Sequence, residues 1–418
     1  MITTTLLVSV YAILTVPRKI FVENFIPVPP PITRSVTIPT SGAYRLDVGT
    51  NVNKPIDSIT WTCTSTRGED TTRAFLARRL DRLVTEEPDR TRFIRRLTGA
   101  PWGQTGNFGF SENNGTTNLN FSGSLSQLGA ASLRKRPQSS NLSDGASKLG
   151  YGSIKDAPLK RPSFDIWAEG HYTHYEDDVS GGKNDGDFGL LYLGADYLMT
   201  SNVLFGVLVQ FDWSDEDMQT TDGNVDGQGW MVGPYLSARL SENLFFNTRA
   251  AWGQSDNDIR IGAVTGSFDT DRWLVSGDLT GNWHSGAWRI TPSVGVTYAE
   301  EDQDRYTNSA GTVVPSQTVS LGRVTFGPEV AYRIAAGGGT VIEPMAALTG
   351  LWDFDNESNL VIDGIVASPD DFRGRLEGGV MVSMPGGFSF RATGNYDGIG
   401  SDDFEAYGGE LWVNVPLN

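Results

Sequence analysis

The sequence predicts an all-β protein: a 12-stranded antiparallel transmembrane β-barrel with a short helical and disordered N-terminal extension. Three observations predict it. Between residues 161 and 418, segments of about ten residues alternate apolar and mixed positions, the pattern of membrane-barrel strands. The connections between these segments alternate between tight turns and long acidic stretches. Tryptophans cluster near the predicted strand ends, where the aromatic girdles of membrane barrels lie.

The barrel is predicted to occupy residues 161–418, with no helical pattern between its strands. A dozen consecutive alternating segments favour a closed sheet, because closure leaves no unpaired edge. The predicted strands are 163–175, 188–199, 202–213, 227–240, 243–253, 272–284, 287–299, 318–334, 339–352, 372–384, 387–396 and 404–417.

The two faces of each strand differ in chemistry. In the seventh, Trp288, Ile290 and Val294 share one face, while Arg289 and Thr291 share the other. A membrane barrel turns the apolar face to lipid and fills its lumen with polar groups. A soluble sandwich with a solvated polar face is the alternative. The charged residues expected to face the lumen are Glu169, Asp196, Arg249, Asp278, Arg289, Arg323, Glu329, Glu343, Arg375, Glu377 and Arg391.

Loop lengths orient the predicted barrel. Tight turns such as Thr200-Ser201 alternate with long acidic segments such as 214–226 and 254–271. Outer-membrane barrels have short periplasmic turns and long extracellular loops. We therefore expect extracellular loops, periplasmic barrel termini, and contacts with outer-membrane lipid and lipopolysaccharide. The acidic segments depart from the spacing of an EF-hand, so they indicate solvated loops and no calcium site.

The extension before the barrel divides into three parts. Residues 1–69 are a short β-rich segment. Residues 70–99 form an amphipathic, Arg-rich helical segment with Asp70 as its N-cap. The favoured interpretation is a helix whose apolar face packs on a neighbour and whose charged face is solvated. Docking on an acidic surface or anionic lipid is the alternative. Residues 100–160 are rich in Gly, Ser and Asn and indicate a flexible linker that can enter the pore.

The amino-terminus allows three interpretations. Leu6 to Val16 is an apolar run of signal-peptide length, but no Lys or Arg precedes it. Residues 1–16 are therefore an imperfect export signal, a buried strand, or the edge of a chain whose authentic start lies upstream of Met1.

Composition excludes several classes of function. The formal net charge is −17, which disfavours nucleic acid as a partner because phosphate binding needs a basic face. The only cysteine, Cys63, excludes an internal disulfide and a Cys-rich metal site. We expect no cofactor.

No catalytic set is predicted. His171 and His174 lie three residues apart on one strand and therefore face opposite sides. The sequence contains no GxSxG elbow and no HExxH motif. The protein is predicted not to be an enzyme; a barrel-embedded hydrolase using His171 or His284 is the least favoured hypothesis.

Several stretches together carry a family resemblance: DIWAEGHY, FGLLYLGADYLMTSNVLFGVLVQ, WMVGPYLSARL, VIEPMAALTGLWDF and the terminal GGELWVNVPL. In order and spacing, the chain from Phe164 to Asn418 resembles the carboxy-terminal translocator domain of autotransporters (type V secretion). The resemblance implies a monomeric 12-stranded barrel whose pore is crossed by a helix or linker. It also implies insertion by the barrel-assembly machinery and export of the protein's own N-terminal passenger, of which residues 1–69 are then a remnant.

Two further expectations follow from the resemblance. Such domains carry an assembly signal in a last strand of alternating apolar residues, here Tyr407, Leu411, Val413, Val415 and Leu417, although the chain ends in Asn418 and lacks the usual terminal aromatic. Some members cut themselves at an Asn-Asn junction, which Asn113-Asn114 resembles. Two ordinary linker residues are the favoured interpretation there.

The sequence thus favours a non-enzymatic outer-membrane translocator that anchors and exports or displays its N-terminal segment. The alternative is a passive outer-membrane channel or structural barrel, with the extension as a plug.

Overall fold

The computed structural model describes residues 6–12, 18–24, 44–50, 67–98, 105–113, 116–125, 162–177, 184–218, 222–356, 360–362, 365–367, 372–385, 388–400 and 406–416. The chain divides into two compact units. One comprises residues 1–65 and 361–367, and the other residues 66–360 and 368–418.

The first unit contains a small antiparallel sheet. Its strands are β1 (Leu6–Ala12), β2 (Arg18–Asn24) and β3 (Tyr44–Thr50), in the order β2-β1-β3. Residues 6–12 of the apolar run near the amino-terminus therefore form a strand.

Two helices open the second unit, α1 (Arg67–Thr85) and α2 (Arg90–Thr98). Asp70 was the predicted N-cap, but α1 begins three residues earlier and Asp70 lies in its first turn. Pro88 separates the helices, and Asp89 precedes α2 with a carboxylate that accepts the Thr91 amide at 2.9 Å. Within the described part of the chain, no helix is long and apolar enough to cross a membrane.

The rest of the second unit is a closed antiparallel barrel in which strands adjacent in sequence pair with each other and the last pairs with the first. The strands are β4 (Thr105–Asn113), β5 (Thr116–Ser124), β6 (Phe164–Asp177), β7 (Asn184–Thr200), β8 (Val203–Met218), β9 (Gly223–Ser241), β10 (Leu244–Ile261), β11 (Val264–Gly281), β12 (Trp288–Gln303), β13 (Gln317–Tyr332), β14 (Val341–Asn356), β15 (Phe372–Ser383), β16 (Ser389–Ile399) and β17 (Ala406–Pro416).

The prediction of 12 strands is wrong, because the barrel has 14. The two additional strands, β4 and β5, come from the segment 100–160 that was expected to be a flexible linker. Asn113 pairs with Thr116, and the two residues between them are Asn-Gly, the dipeptide that two-residue hairpin turns favour. Phe108 and Phe121 pair across this hairpin and are exposed on its outer face. The hairpin closes the barrel between β17 and β6.

Two of the predicted acidic loops are largely strand. Strands β8 and β9 extend to Met218 and from Gly223, and β10 and β11 are separated by two residues only. The period-two alternation continues into these extensions, but its chemistry inverts. Asp258 and Asp269 face outward, whereas Ile259 and Phe268 are buried inside. The inversion begins where these strands project beyond the apolar belt of the outer surface.

Aromatic side chains on the outer surface mark the limits of that belt. Trp288 and Tyr332 touch near the turn end, with ring centroids 4.8 Å apart, and Trp273 and Tyr298 touch nearer the loop end at 5.2 Å. Trp288 and Tyr298 are ten residues apart on β12, about 34 Å along a strand. At the usual tilt of about 40° this spans roughly 25 Å, the height of a membrane barrel's apolar band.

Candidate functional site

Both helices lie inside the barrel. Arg79 of α1 hydrogen-bonds Asp212 on β8, while Asp81, two residues further on, pairs with Arg323 on β13. Contacts with such distant strands are possible only from the interior. Thr72 of α1 accepts a hydrogen bond from Gln317, the first residue of β13 at the loop end. Arg96 of α2 pairs with Asp165, the second residue of β6 at the turn end. We call α1 and α2 together the plug.

A buried charge cluster fixes the loop-side half of the plug. Asp212 accepts hydrogen bonds from Arg79 at 2.6 Å and from Arg272 of β11 at 2.5 Å. Arg79 also donates to Ser255 and Asn257 on β10. These arginines and Asp212 are almost fully buried, so the pairing offsets their desolvation rather than adding much net stability.

Glutamates next to Pro88 bind the middle of the wall. Glu87 accepts hydrogen bonds from Arg249 of β10, the shortest at 3.0 Å. Glu86 lies 3.0 Å from His171 of β6. On the opposite side, Arg323 joins the plug's Asp81 at 2.7 Å to Asp353 of β14 at 2.6 Å.

Glu169 holds the start of α2. Its carboxylate accepts the backbone N–H of Asp89 at 3.0 Å and lies 3.3 Å from Arg92. A carboxylate is favourable at a helix N-terminus because it binds free amides there. Near the other end of α2, Arg96 pairs with Asp196 at 2.5 Å.

An apolar core seals the plug at the loop-side mouth. Phe75, Leu76 and Leu80 of α1 are at most 2% exposed and pack with inward-facing side chains of the projecting strands, including Met218, Val225, Met231, Ile259 and Phe268. Tyr306, in the loop between β12 and β13, stacks on Phe268 at 5.4 Å. Burial raises the pKa of Tyr306 to about 12.

The structure divides the predicted charged residues into two groups. Glu169, Asp196, Arg249, Asp278 and Arg323 contact the plug. The others lie on strands β12 to β16, where four of them pair among themselves: Arg289 with Glu329, and Arg391 with Glu377 and Glu329. Arg375 pairs with Asp397, and Glu343 is half-buried.

Sequence reasoning missed several residues that bind the plug. Asp212 stands at the edge of a predicted strand, as does Arg272, which supports Asp212 from the wall. Glu216, which pairs with Arg78, lies in a predicted loop. The alternation of the predicted strands, continued beyond the girdle of outer aromatic side chains, places these residues on the inward face and was the signal available. The plug's arginines had been assigned to a solvated helix face.

The last strand presents its two faces as alternation requires. Tyr407 and Leu411 are exposed outward at 62% and 44%, and Val413 is half-buried. The side chain of Val415 and the whole of Leu417 lie outside the described residues. Trp412, on the opposite, inward face, covers Gly109 of β4, where an added Cβ would lie 2.8 Å from the indole.

The histidines show no catalytic arrangement among the described residues. His171 contacts Glu169, Glu86 and Asn120 through its ring nitrogens, and none of these is a nucleophilic hydroxyl. His284 is exposed in the short strand Trp283–Ser285. Asn113 ends β4, and Asn114 lies outside the described residues.

The chain is similar to several proteins of known structure. The β-domain of the Bordetella autotransporter BrkA is 19% identical over 60% of this chain and 99% of that chain, with a TM-score of 0.45. The translocator domain of the autotransporter NalP from Neisseria meningitidis is 13% identical over 64% and 91%, with a TM-score of 0.43. The toluene transporter TodX of Pseudomonas putida is 10% identical over 80% and 93%, with a TM-score of 0.41.

No curated protein matches the chain. The family model described as "Autotransporter beta-domain" matches residues 166–397, more than half of the sequence. The chain therefore belongs to the autotransporter β-domain family.

Proposed function

We propose that this protein is an outer-membrane translocator that carries its own N-terminal segment to the cell surface and keeps it there. The direction of the plug carries the proposal. Thr72, in the first half of α1, lies at the loop end, and Arg96, near the end of α2, lies at the turn end, so the plug runs from the loop end to the turn end. In outer-membrane barrels the long loops are extracellular.

The contacts of the plug support retention rather than release. A linker that merely passes through a pore needs no apolar contacts with its wall. Here Phe75, Leu76 and Leu80 enter a common core with the wall, and Arg79 is fully buried against it. The plug is thus an anchor for residues 1–65, and the family's role in transport favours a non-catalytic barrel.

The outer surface suits the other proposed partners. The belt between the aromatic rings faces lipid, and the acidic projections above it face the headgroup region and the medium. The exposed Tyr407 and Leu411 on β17 fit recognition by the barrel-assembly machinery. A single closed barrel needs no second copy to complete its wall.

Display can be tested with epitope tags on intact cells. One tag is placed at the amino-terminus, one between Ala310 and Gly311 in the loop before β13, and one between Ser241 and Glu242 in a tight turn. We expect antibody to bind the first two tags and not the third. Externally added protease should remove the amino-terminal tag but leave residues 67–98 protected.

One outcome contradicts display. If the tag at Ala310 is accessible and the amino-terminal tag is not, the segment lies on the other side of the membrane. The protein would then be a barrel with a periplasmic tail.

A further inference from the structure

The charges of the plug change sign along its length, and the charges of the wall change with them. The plug side chains that pair with charged wall residues fall into three successive blocks. The first block is cationic, the second anionic and the third cationic: Arg78 and Arg79, then Asp81, Glu86 and Glu87, then Arg90, Arg92 and Arg96. Glu69, Asp70 and Arg73 precede these blocks, near the start of α1.

Carboxylates of the wall face the first block. Glu216 and Asp212 of β8 pair with its two arginines, and Glu301 of β12 lies 3.8 Å from Arg79. All three carboxylates are fully buried. The wall also carries Arg272 here, and this cation binds Asp212. The wall beside the first block is therefore predominantly acidic.

Cations of the wall face the second block. Arg249 of β10 and Arg323 of β13 pair with its carboxylates, and His171 of β6 lies 3.0 Å from a glutamate of the block. Arg373 of β15 acts electrostatically on the same plug aspartate that Arg323 binds. Asp353 of β14 is the carboxylate of the wall in this region, and it binds Arg323. The wall beside the second block is therefore predominantly basic.

The third block meets carboxylates again. Asp278 of β11 and Glu169 of β6 lie 3.1 and 3.3 Å from the first two arginines of the block. Asp165 and Asp196 lie 3.7 and 2.5 Å from Arg96. Among the described residues, the wall groups that form ion pairs with this block are all acidic.

The remaining charges between the first block and the end of α2 have partners of another kind. Arg82 lies over the ring of Tyr175, with its guanidinium carbon 4.7 Å from the ring centroid. Asp89 accepts hydrogen bonds from the amide and hydroxyl of Thr91, and Arg95 donates to the same hydroxyl. These contacts leave the order of the three blocks unchanged.

Sliding of the plug by one block would bring like charges together. Arg79 and Glu87 are eight residues apart, about 12 Å along a helix. A shift of this length toward the loop end moves the second block to Asp212 and the third block to Arg249. A shift toward the turn end moves the first block to Arg249 and the second block to Asp278. Like charges repel strongly in a buried site, where water screens them little.

We propose that this order of charges sets a single resting position of the plug along the lumen, and so determines which residue stands at the loop-side mouth when export ends. The direction of export comes from the proposed function, on which this inference rests, whereas the resting position depends only on the plug and the wall. Glu87 and Arg249 determine the position most directly, because a shift in either direction moves Glu87 from a cation to carboxylates.

Cross-linking of the full-length chain measures the resting position. Thr72 Oγ1 lies 2.7 Å from Gln317 Nε2, so a short bifunctional thiol reagent should join cysteines at these two positions only when the plug is in place. The chain carries Thr72→Cys and Gln317→Cys, with Cys63→Ser to remove the native thiol. The yield is measured in the folded species, which heat-modifiable gel migration identifies.

The sign of the charge at residue 87 should decide the yield. Glu87→Arg should lower it at least fivefold, because the new cation meets Arg249. Glu87→Gln removes the charge without reversing it and should lower the yield less than twofold. Reversal of both partners, Glu87→Arg with Arg249→Glu, should return the yield to within twofold of the native value.

A control pair lies in the same lumen away from the plug. Glu377→Arg breaks the ion pair with Arg391 on the wall and should leave the yield unchanged. A yield that survives Glu87→Arg, or that Arg249→Glu does not restore, would overturn the proposal. The apolar core at the mouth or the connection to β4 would then set the position of the plug.

The amino-terminal tag on intact cells separates this inference from display. An accessible tag together with a yield that ignores the charge reversals leaves display standing and rejects the charge-set position. An inaccessible tag together with the expected yields rejects display and supports the charge-set position.

Discussion

Arg79 Nη2 of helix α1 and Asp212 Oδ2 of strand β8 lie 2.6 Å apart, and neither side chain has any solvent exposure. Arg272 contacts the same carboxylate from the wall, so one aspartate joins two arginines, one from the plug and one from the barrel. An unpaired charge in such a place is costly. The helix can therefore occupy this position only when its charges and those of the wall are in register.

Removing Arg79 should loosen the plug. Arg79→Met leaves Asp212 with one arginine and removes the hydrogen bond that Arg79 donates to the side-chain oxygen of Asn257. Breaking a buried pair by removing one partner costs about 3–5 kcal/mol. We expect faster tryptic cleavage of α1 in the purified, folded barrel. Arg95→Met is the matched control, because among the described residues the Arg95 guanidinium bonds only to the nearby, exposed Thr91 hydroxyl. Equal cleavage rates in the two variants would contradict this role for Arg79.

The apolar core at the mouth should be as important as the charges. Phe75→Ala removes a ring that is 1% exposed, and truncating a buried Phe costs about 3–5 kcal/mol. We expect the same increase in tryptic cleavage of α1, with the β-barrel's gel migration unchanged. Thr71→Ala, on a partly exposed face of the same helix, should behave like the native chain.

The seam between β4 and β17 should tolerate no side chain at Gly109. A Cβ there would lie 2.8 Å from the rigid indole of Trp412, and overpacking of this kind costs about 1–3 kcal/mol. We expect Gly109→Val to lower the unfolding temperature seen by heat-modifiable migration. Gly123→Val on β5 is the control, since nothing lies within 4 Å of its added Cβ. If both valines have the same effect, strand propensity rather than the indole contact is responsible.

The projecting strands should be more stable in acid. Burial, together with the facing carboxylates of Asp258 and Asp215, raises the pKa of Asp226 above its usual value. A carboxyl whose pKa is raised by folding destabilises the fold at neutral pH, and that cost disappears as the pH falls through the raised pKa. Amide-exchange protection factors of residues 223–229 should therefore increase on acidification.

Asp226→Asn should reduce this dependence on pH. Asp271→Asn, on the same outer face, should retain it. A pH dependence that is identical in the Asp226→Asn variant and the native chain would assign the effect to other groups.

The sequence determines the class of fold through alternation and loop length, and the family match confirms the barrel. The strand count was wrong because the hairpin 105–124 lies in a Gly/Ser/Asn-rich stretch. There Asn114-Gly115 was the signal, and Phe108, Phe110, Leu119 and Phe121 supplied the alternation. Composition outweighed a short-range turn motif that is more specific than composition.

The resemblance implied a helix or linker in the pore, but the contacts of α1 and α2 with the wall could not be predicted from the same information. An Arg-rich amphipathic helix has the same pattern whether its cations face water or buried carboxylates. Asp212 and Arg79 are 133 residues apart, and only closure of the barrel brings them together. Likewise, the carboxylates of 214–226 and 254–271 indicated loops. Beyond the girdle of outer aromatic side chains the polar residues face outward and the apolar residues inward, and the period of the alternation does not reveal this reversal.

The reversal of inward and outward chemistry at the aromatic girdle has a consequence for where the chain can be truncated. On the loop side of the aromatic girdle, apolar side chains of the wall and of α1 form one common core. A chain that begins at residue 161, the boundary that the alternation alone suggests, lacks strands β4 and β5 of the wall. It also lacks α1, which packs against the wall at the loop-side mouth. Such a fragment would expose Met218, Ile259 and Phe268 to water. It would therefore tend to associate through this apolar surface, and its properties would differ from those of an open pore.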